Sequence, residues 1–276
     1  MILSIKYIRA ASATLLATAA LFYGCQKPDY PDPQPSTAGY NTTSTRVLFV
    51  NATPDASSLN VAIENNPVGT ITPGTSTSYV GVPLGSTQIR ILAPGGTLGT
   101  TSPAGDISSK PSFLANTSYT VFATDSINRP KVINAAGTTT DVGGIRTLQV
   151  VDTLTAPAAG TAKFRFFNLS PDVTGVASST VAGPVSARLL NAAGASATTL
   201  ANRAYRNVAA ANLRYTVVPA GTYTVQVYSG TTVPTSLTAA PLATATVSMA
   251  DGKIYTLYSR GLRRNRTLAV GTVQHN

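Results

Sequence analysis

Val47-Leu48-Phe49-Val50-Asn51-Ala52-Thr53-Pro54-Asp55 returns 117 residues later as Phe164-Arg165-Phe166-Phe167-Asn168-Leu169-Ser170-Pro171-Asp172. A second block, Tyr79-Val80-Gly81-Val82-Pro83-Leu84-Gly85, returns at an offset of 136 as Tyr215-Thr216-Val217-Val218-Pro219-Ala220-Gly221. The same offset of 136 carries Tyr119-Thr120-Val121-Phe122 onto Tyr255-Thr256-Leu257-Tyr258. Three blocks in unchanged order mean that one unit occurs twice in tandem. The difference of 19 between the offsets predicts an insertion in the second copy, within residues 175–207, of the kind that surface loops accept. A period this long excludes a solenoid and predicts two domains, each large enough for its own core. The expected boundaries are 45–151 for the first domain, 152–160 for a linker and 161–276 for the second.

Both copies read as β-structure. Leu59, Val61 and Ile63 alternate with Asn60, Ala62 and Glu64, the period-two pattern of a half-buried strand, and Asn65-Asn66 supplies a turn. Thr244–Met249 and Ile254–Ser259 flank Ala250-Asp251-Gly252-Lys253 as the arms of a hairpin. The chain holds 41 Thr, a residue that favours strands over helix interiors, and no stretch beyond residue 40 sustains a helical stripe. The predicted fold is all-β: two tandem antiparallel β-sandwiches, immunoglobulin-like or prealbumin-like. Tyr79, Tyr119, Tyr215 and Tyr255 recur at matched places and are expected in shared core or corner positions. Tyr205, Tyr223 and Tyr228 are left as candidate sugar platforms, with a structural role as the alternative.

The first 44 residues are of a different kind. Lys6 and Arg9 precede the apolar run Ala10–Tyr23, which is too short to span a bilayer of ~30 Å comfortably and has the form of a cleaved signal over residues 1–24. The chain's one cysteine, Cys25, follows directly. The arrangement resembles a bacterial lipoprotein signal, which implies that Cys25 is acylated; a secretory signal with an incidental cysteine is the alternative. Residues 25–44 carry four prolines within the first eleven positions and read as an extended tether reaching up to about 60 Å. Gln26-Lys27 with Asp29 and Asp32 is similar to the export signal of surface lipoproteins of the Bacteroidota. That likeness implies an outer-membrane lipoprotein exposed at the cell surface, with the periplasmic face as the alternative.

The strand–Asn-x-(Ser/Thr)-Pro-Asp blocks, the Val-Pro-x-Gly turns and the bridge Leu154–Lys163 together resemble the domain of unknown function family 4397, in two tandem copies. The resemblance implies an extracytoplasmic β-domain and no established reaction. Members of that family often carry His where this chain has Asn51 and Asn168, so a role built on that His does not carry over.

Catalytic material is scarce. One His, one Glu and nine Asp are present; a lone Cys allows neither an intrachain disulfide nor a cysteine-based zinc site. His275 is penultimate and reads as part of a fraying end. Asp55 and Asp172 are repeat equivalents, read as turn residues, with ligand contact as the alternative. No cofactor and no metal are expected. Charge is lopsided: residues 26–150 hold seven basic and seven acidic side chains, whereas residues 151–276 hold eleven basic and three acidic. A basic exported domain suits anionic glycan or lipopolysaccharide and not nucleic acid. Arg260, Arg263, Arg264 and Arg266, set among turn residues, are the candidate anion-binding group. Asp125-Ser126-Ile127 and Asp152-Thr153-Leu154 make Ser126 and Thr153 candidate O-glycosylation acceptors. The expected function is a non-enzymatic surface lipoprotein engaged in adhesion or envelope-glycan contact. The alternatives are an Asp-dependent glycan-processing accessory enzyme and a purely structural spacer.

Overall fold

The computed structural model describes residues 45–93, 107–141, 143–171, 183–262 and 268–276. Residues 40–276 form one compact unit. Its first half runs β1 (Arg46–Asn51), β2 (Leu59–Ile63), β3 (Asn66–Ile71), β4 (Val80–Gly81), β5 (Gly85–Ser86) and β6 (Ile89–Leu92). It continues with β7 (Ile107–Ser109), β8 (Ser112–Phe113), β9 (Ser118–Thr124), β10 (Val132–Ile133), β11 (Thr139–Asp141) and β12 (Arg146–Asp152). The second half comprises β13 (Thr161–Asn168), β14 (Val185–Leu190), β15 (Ser196–Arg203), a short helix α1 (Ala210–Leu213) and β16 (Thr216–Pro219). β17 (Gly221–Ser229), β18 (Ala243–Met249), β19 (Ile254–Arg260) and β20 (Ala269–Gln274) complete it.

Each half is a sandwich of two four-stranded sheets, and the two halves share one topology. Sheet order β12-β9-β1-β4 faces β3-β2-β6-β7 in the first half; β16-β13-β19-β20 faces β15-β14-β17-β18 in the second. The 19 extra residues of the second half are spread over a longer link before β14, a longer β14–β15 hairpin and the link carrying α1. Asp152, expected in the linker, closes β12 instead.

Pairing is antiparallel with one exception per half: β1 runs parallel to β9 and β13 parallel to β19. The exception has a cause in the sequence. Parallel pairs occur where both faces of a sheet are covered, and these four strands are buried on both faces along nearly their whole length. Val47 and Phe49 of β1, with Tyr119 and Val121 of β9, enter the first sandwich core beside Val61 and Ile91. Phe164 and Phe166 of β13, with Leu257 of β19, enter the second beside Ala187 and Val225. The alternate residues turn the other way. Leu48, Val50, Phe122, Leu148 and Val150 of the first half meet Phe167, Leu169, Tyr258 and Val273 of the second in a third core. This unit is therefore four sheets deep, with the two inner sheets packed face to face along a seam.

Two tyrosines repeat a corner. Tyr119 Oη accepts the N–H of Leu114 at 2.9 Å, and Tyr255 Oη accepts the N–H of Ala250 at 3.0 Å. Each ring fills a core while its hydroxyl ties down the chain five residues upstream.

Candidate functional site

Among the described residues, two clusters of ionisable side chains link the halves, both at the seam. At the first, Asp152 accepts from three donors. Its Oδ2 takes the hydroxyls of Tyr79 and Thr120, each at 2.7 Å, and its Oδ1 pairs with Arg165 Nη2. Asp152 and Thr120 belong to the first half and Arg165 to the second, so the ion pair crosses the seam. Arg165 is 1% exposed. Its Nη1 donates to the Val151 carbonyl at 2.7 Å and its Nε to Thr256 Oγ1 at 3.0 Å, while its plane lies over the rings of Phe167 and Tyr215.

His275 completes the network. It lies buried at the end of the chain, with Nε2 at 2.7 Å from Thr256 Oγ1 and Nδ1 at 2.8 Å from Tyr79 Oη. The donors fix its tautomer. Thr256 Oγ1 accepts from Arg165 and so gives its own proton to Nε2; Tyr79 gives its proton to Asp152 and so accepts from Nδ1–H. A continuous run of hydrogen bonds thus leads from a guanidinium to a carboxylate through a neutral imidazole. Burial, reinforced by the nearby Arg165, outweighs the attraction of Asp152 and pushes the His275 pKa down to about 4. Burial also raises the Tyr79 hydroxyl far above its ordinary range, with Asp152 adding to the effect. Asp152, Thr120, Arg165, Thr256 and His275 are buried and Tyr79 is partly so, which makes this a fastening between halves. Removing one partner of such a buried pair costs about 3–5 kcal/mol. Sequence reasoning missed it because the chain end gives no local sign of burial.

The second place is the end of the stack at which β1, β9, β13 and β19 finish. Asp125, 2% exposed and at φ 70°, accepts Tyr205 Oη at 2.5 Å. Its Oδ2 lies 3.3 Å from Arg146 Nε and 3.7 Å from Arg129 Nε. Arg206 Nη2 reaches across to the Thr147 carbonyl at 2.8 Å. Arg260, at the last position of β19, lays its guanidinium over Gly74 of the first half. Asn51 and Asn168 pin the chain here in parallel fashion. Asn51 Oδ1 accepts from Thr53 N and Oγ1, and Asn168 Oδ1 from Ser170 N and Ser259 Oγ.

Of the residues expected to carry function, Asp55 binds Ser126 Oγ at 2.5 Å and the Ile127 N–H at 2.9 Å, joining two loops as turn chemistry demands. Ser126 is thereby engaged. Thr153 is exposed just after β12, its carbonyl taken by Lys163 Nζ at 3.1 Å. Tyr223 and Tyr228 are 4% and 3% exposed, so neither offers an open ring face for stacking, and the hydroxyl of the partly buried Tyr205 is bound to Asp125. Cys25, Asp172, Arg263, Arg264 and Arg266 lie outside the described residues. Among the described residues no group of three or more His, Cys, Asp or Glu is placed to hold a metal.

The repeated strand order, the paired parallel strands and the matched tyrosine corners define one domain type, and the family comparison recognises it in the first half. Residues 45–178 match the family described as a domain of unknown function (DUF4397). The DUF4397 match takes in all of the first half and continues through β13. No curated protein matches the chain. Among solved structures, the Bacillus anthracis TIE protein is similar at 10% identity and a TM-score of 0.23, over 79% of this chain and 50% of that one. The chain thus spans half the length of that protein. A candidate cell adhesion protein from Parabacteroides distasonis is similar at 10% identity and a TM-score of 0.18, over 84% of this chain and 99% of that one.

Proposed function

We propose that the chain is a lipid-anchored surface protein that acts without catalysis, as a rigid body for adhesion or glycan contact, built from two copies of the DUF4397 domain. The observation that carries this reading is where the reactive side chains are spent. An Asp-dependent glycan-processing enzyme needs two carboxyl groups facing one sugar across roughly 5–10 Å. Here Asp152 is enclosed by Tyr79, Thr120 and Arg165, Asp125 is enclosed by Tyr205 and arginines, and Asp55 holds a loop. The one imidazole is buried and neutral. Groups committed in this way stiffen a scaffold and leave the surface loops to meet partners.

Anchoring through Cys25 supports display at the membrane surface. Cys25→Ser is expected to move the protein from the membrane fraction to the soluble fraction, and externally added protease is expected to digest the wild-type protein on intact cells. Unchanged fractionation would remove the anchor from this reading, and full protection from protease would place the protein on the periplasmic face. A screen of envelope and extracellular glycans should show binding without turnover; release of shortened glycans would favour the enzyme.

A further inference from the structure

We propose that the end of the stack where β1, β9, β13 and β19 finish binds an oxyanion, a phosphate or sulfate ester carried on a polysaccharide, through Arg146, Arg203, Arg206 and Arg260. The glycan carrier rests on the function proposed above; the oxyanion chemistry rests on the arginines. Arg146 opens β12 opposite Thr124, the last residue of β9. Arg203 closes β15, and its carbonyl is held by Asn168, the last residue of β13. The Arg206 N–H donates to the carbonyl of the same Asn168, and Arg260 closes β19 beside it. The contacts Tyr205–Asp125, Arg206–Thr147 and Arg260–Gly74 bring the ends of both halves together. Arg129 and Arg146 share Asp125 and both act on Arg206, so three guanidinium groups lie together there, with Arg203 and Arg260 at the same end of the stack. Among the described side chains, the carboxylates at this end are Asp125, shared by Arg129 and Arg146, and Asp55, bonded to Ser126 and Ile127.

A second observation points to a ligand. The Nε atoms of Arg203, Arg206 and Arg260 are all buried without a hydrogen-bond acceptor. Arg203 and Arg206 each have another nitrogen pinned, to Asn212 Oδ1 and the Thr147 carbonyl. A buried donor left open is uncommon, and three at one end of the stack mark a place where acceptors belong. Guanidinium forks offer Nε and Nη together to two oxygens of a tetrahedral oxyanion, a geometry that lysine cannot supply. Burial lowers the pKa of Arg206; Tyr205 and Asp125 oppose the shift, and Arg146 and Arg129 add to it. The Arg146 side chain is 40% exposed, so an anion approaching from solvent meets this residue first.

The test is binding of dextran sulfate to the purified full chain in detergent. Arg146→Gln with Arg206→Gln is expected to weaken binding at least tenfold. Lys110→Gln with Lys253→Gln, which removes the same charge at the opposite end, should weaken it less than twofold. Because Arg206 spans the seam and its loss could disturb folding, Arg146→Gln alone is measured too, with an expected loss of about threefold. Equal losses in the two double variants, or none in either Arg variant, would overturn the site. Inorganic phosphate should displace the polymer better than chloride at equal ionic strength; equal displacement would overturn oxyanion recognition and leave only diffuse attraction. Binding to neutral glycans but not to dextran sulfate would overturn this inference while leaving the proposed function standing, whereas binding to no glycan would remove both.

Discussion

Gly271 shows how much one missing side chain can decide. It sits on β20 directly opposite Tyr258 of β19, and a Cβ there would lie 2.3 Å from the tyrosine ring. The ring is fully buried and packs edge-on against Phe122 of the other half at 5.4 Å. It cannot swing aside without opening the seam. Gly271→Ala should therefore destabilise the protein by about 1–3 kcal/mol through overpacking. Thermal melting followed by circular dichroism should show a midpoint lower by several degrees; a midpoint equal to wild type would mean that the ring is not held. Asn51 and Asn168 make the complementary point. Their repetition was legible in the sequence, but their work was not. Each gathers loop backbone and hydroxyl groups that become neighbours only once the sheets have formed.

At the scale of strands, what could be read was what is local. The alternation of Leu59, Val61 and Ile63 places them on a core face, and all three are buried. The turn at Ala250–Lys253 forms, but its arms are no hairpin: β18 pairs with β17 in the outer sheet and β19 with β13 and β20 in the inner one, so the turn carries the chain from one sheet to the other. Strand partners are not local, so the parallel pairing of β1 with β9 escaped an antiparallel reading. A sign of it was present. Val47 to Val50 is apolar without alternation, the pattern of a strand buried on both faces. Leu48 tests this directly, because in a lone sandwich it would face water and its truncation would cost little. With the seam formed, Leu48 is 3% exposed, and Leu48→Ala should cost about 2–5 kcal/mol, as for a core leucine. Urea unfolding is the measurement; a change below about 0.5 kcal/mol would mean that this face is not covered.

At the scale of the whole molecule, two repeats suggest two independent bodies, yet the seam gives them a third core and a buried ion pair in common. Each half alone would expose Phe122 or Phe167 and leave Asp152 or Arg165 without its partner. Residues 45–276 should accordingly unfold in one transition, and His275 makes that transition sensitive to acid. In the folded state its pKa is pushed down to about 4; in the unfolded chain it returns to the ordinary 6.5. Between those values the unfolded chain binds a proton that the folded one refuses, so stability falls as pH falls. The loss begins near pH 6.5, is complete near pH 4 and amounts to about 3 kcal/mol from this one group. The groups facing the imidazole are Tyr79 and Asp152 of the first half and Arg165, Tyr215 and Thr256 of the second. Asp152 favours the protonated form, Arg165 opposes it, and burial decides the outcome. His275→Gln removes the titrating group, so its unfolding midpoint should start lower at pH 7 and then change little down to pH 4.5, where the wild type loses most of its advantage. Calorimetric scans across that range provide the check. Two separate transitions at pH 7 would show that the halves do not share a core, and a wild-type slope that persists in His275→Gln would assign the acid sensitivity to other groups.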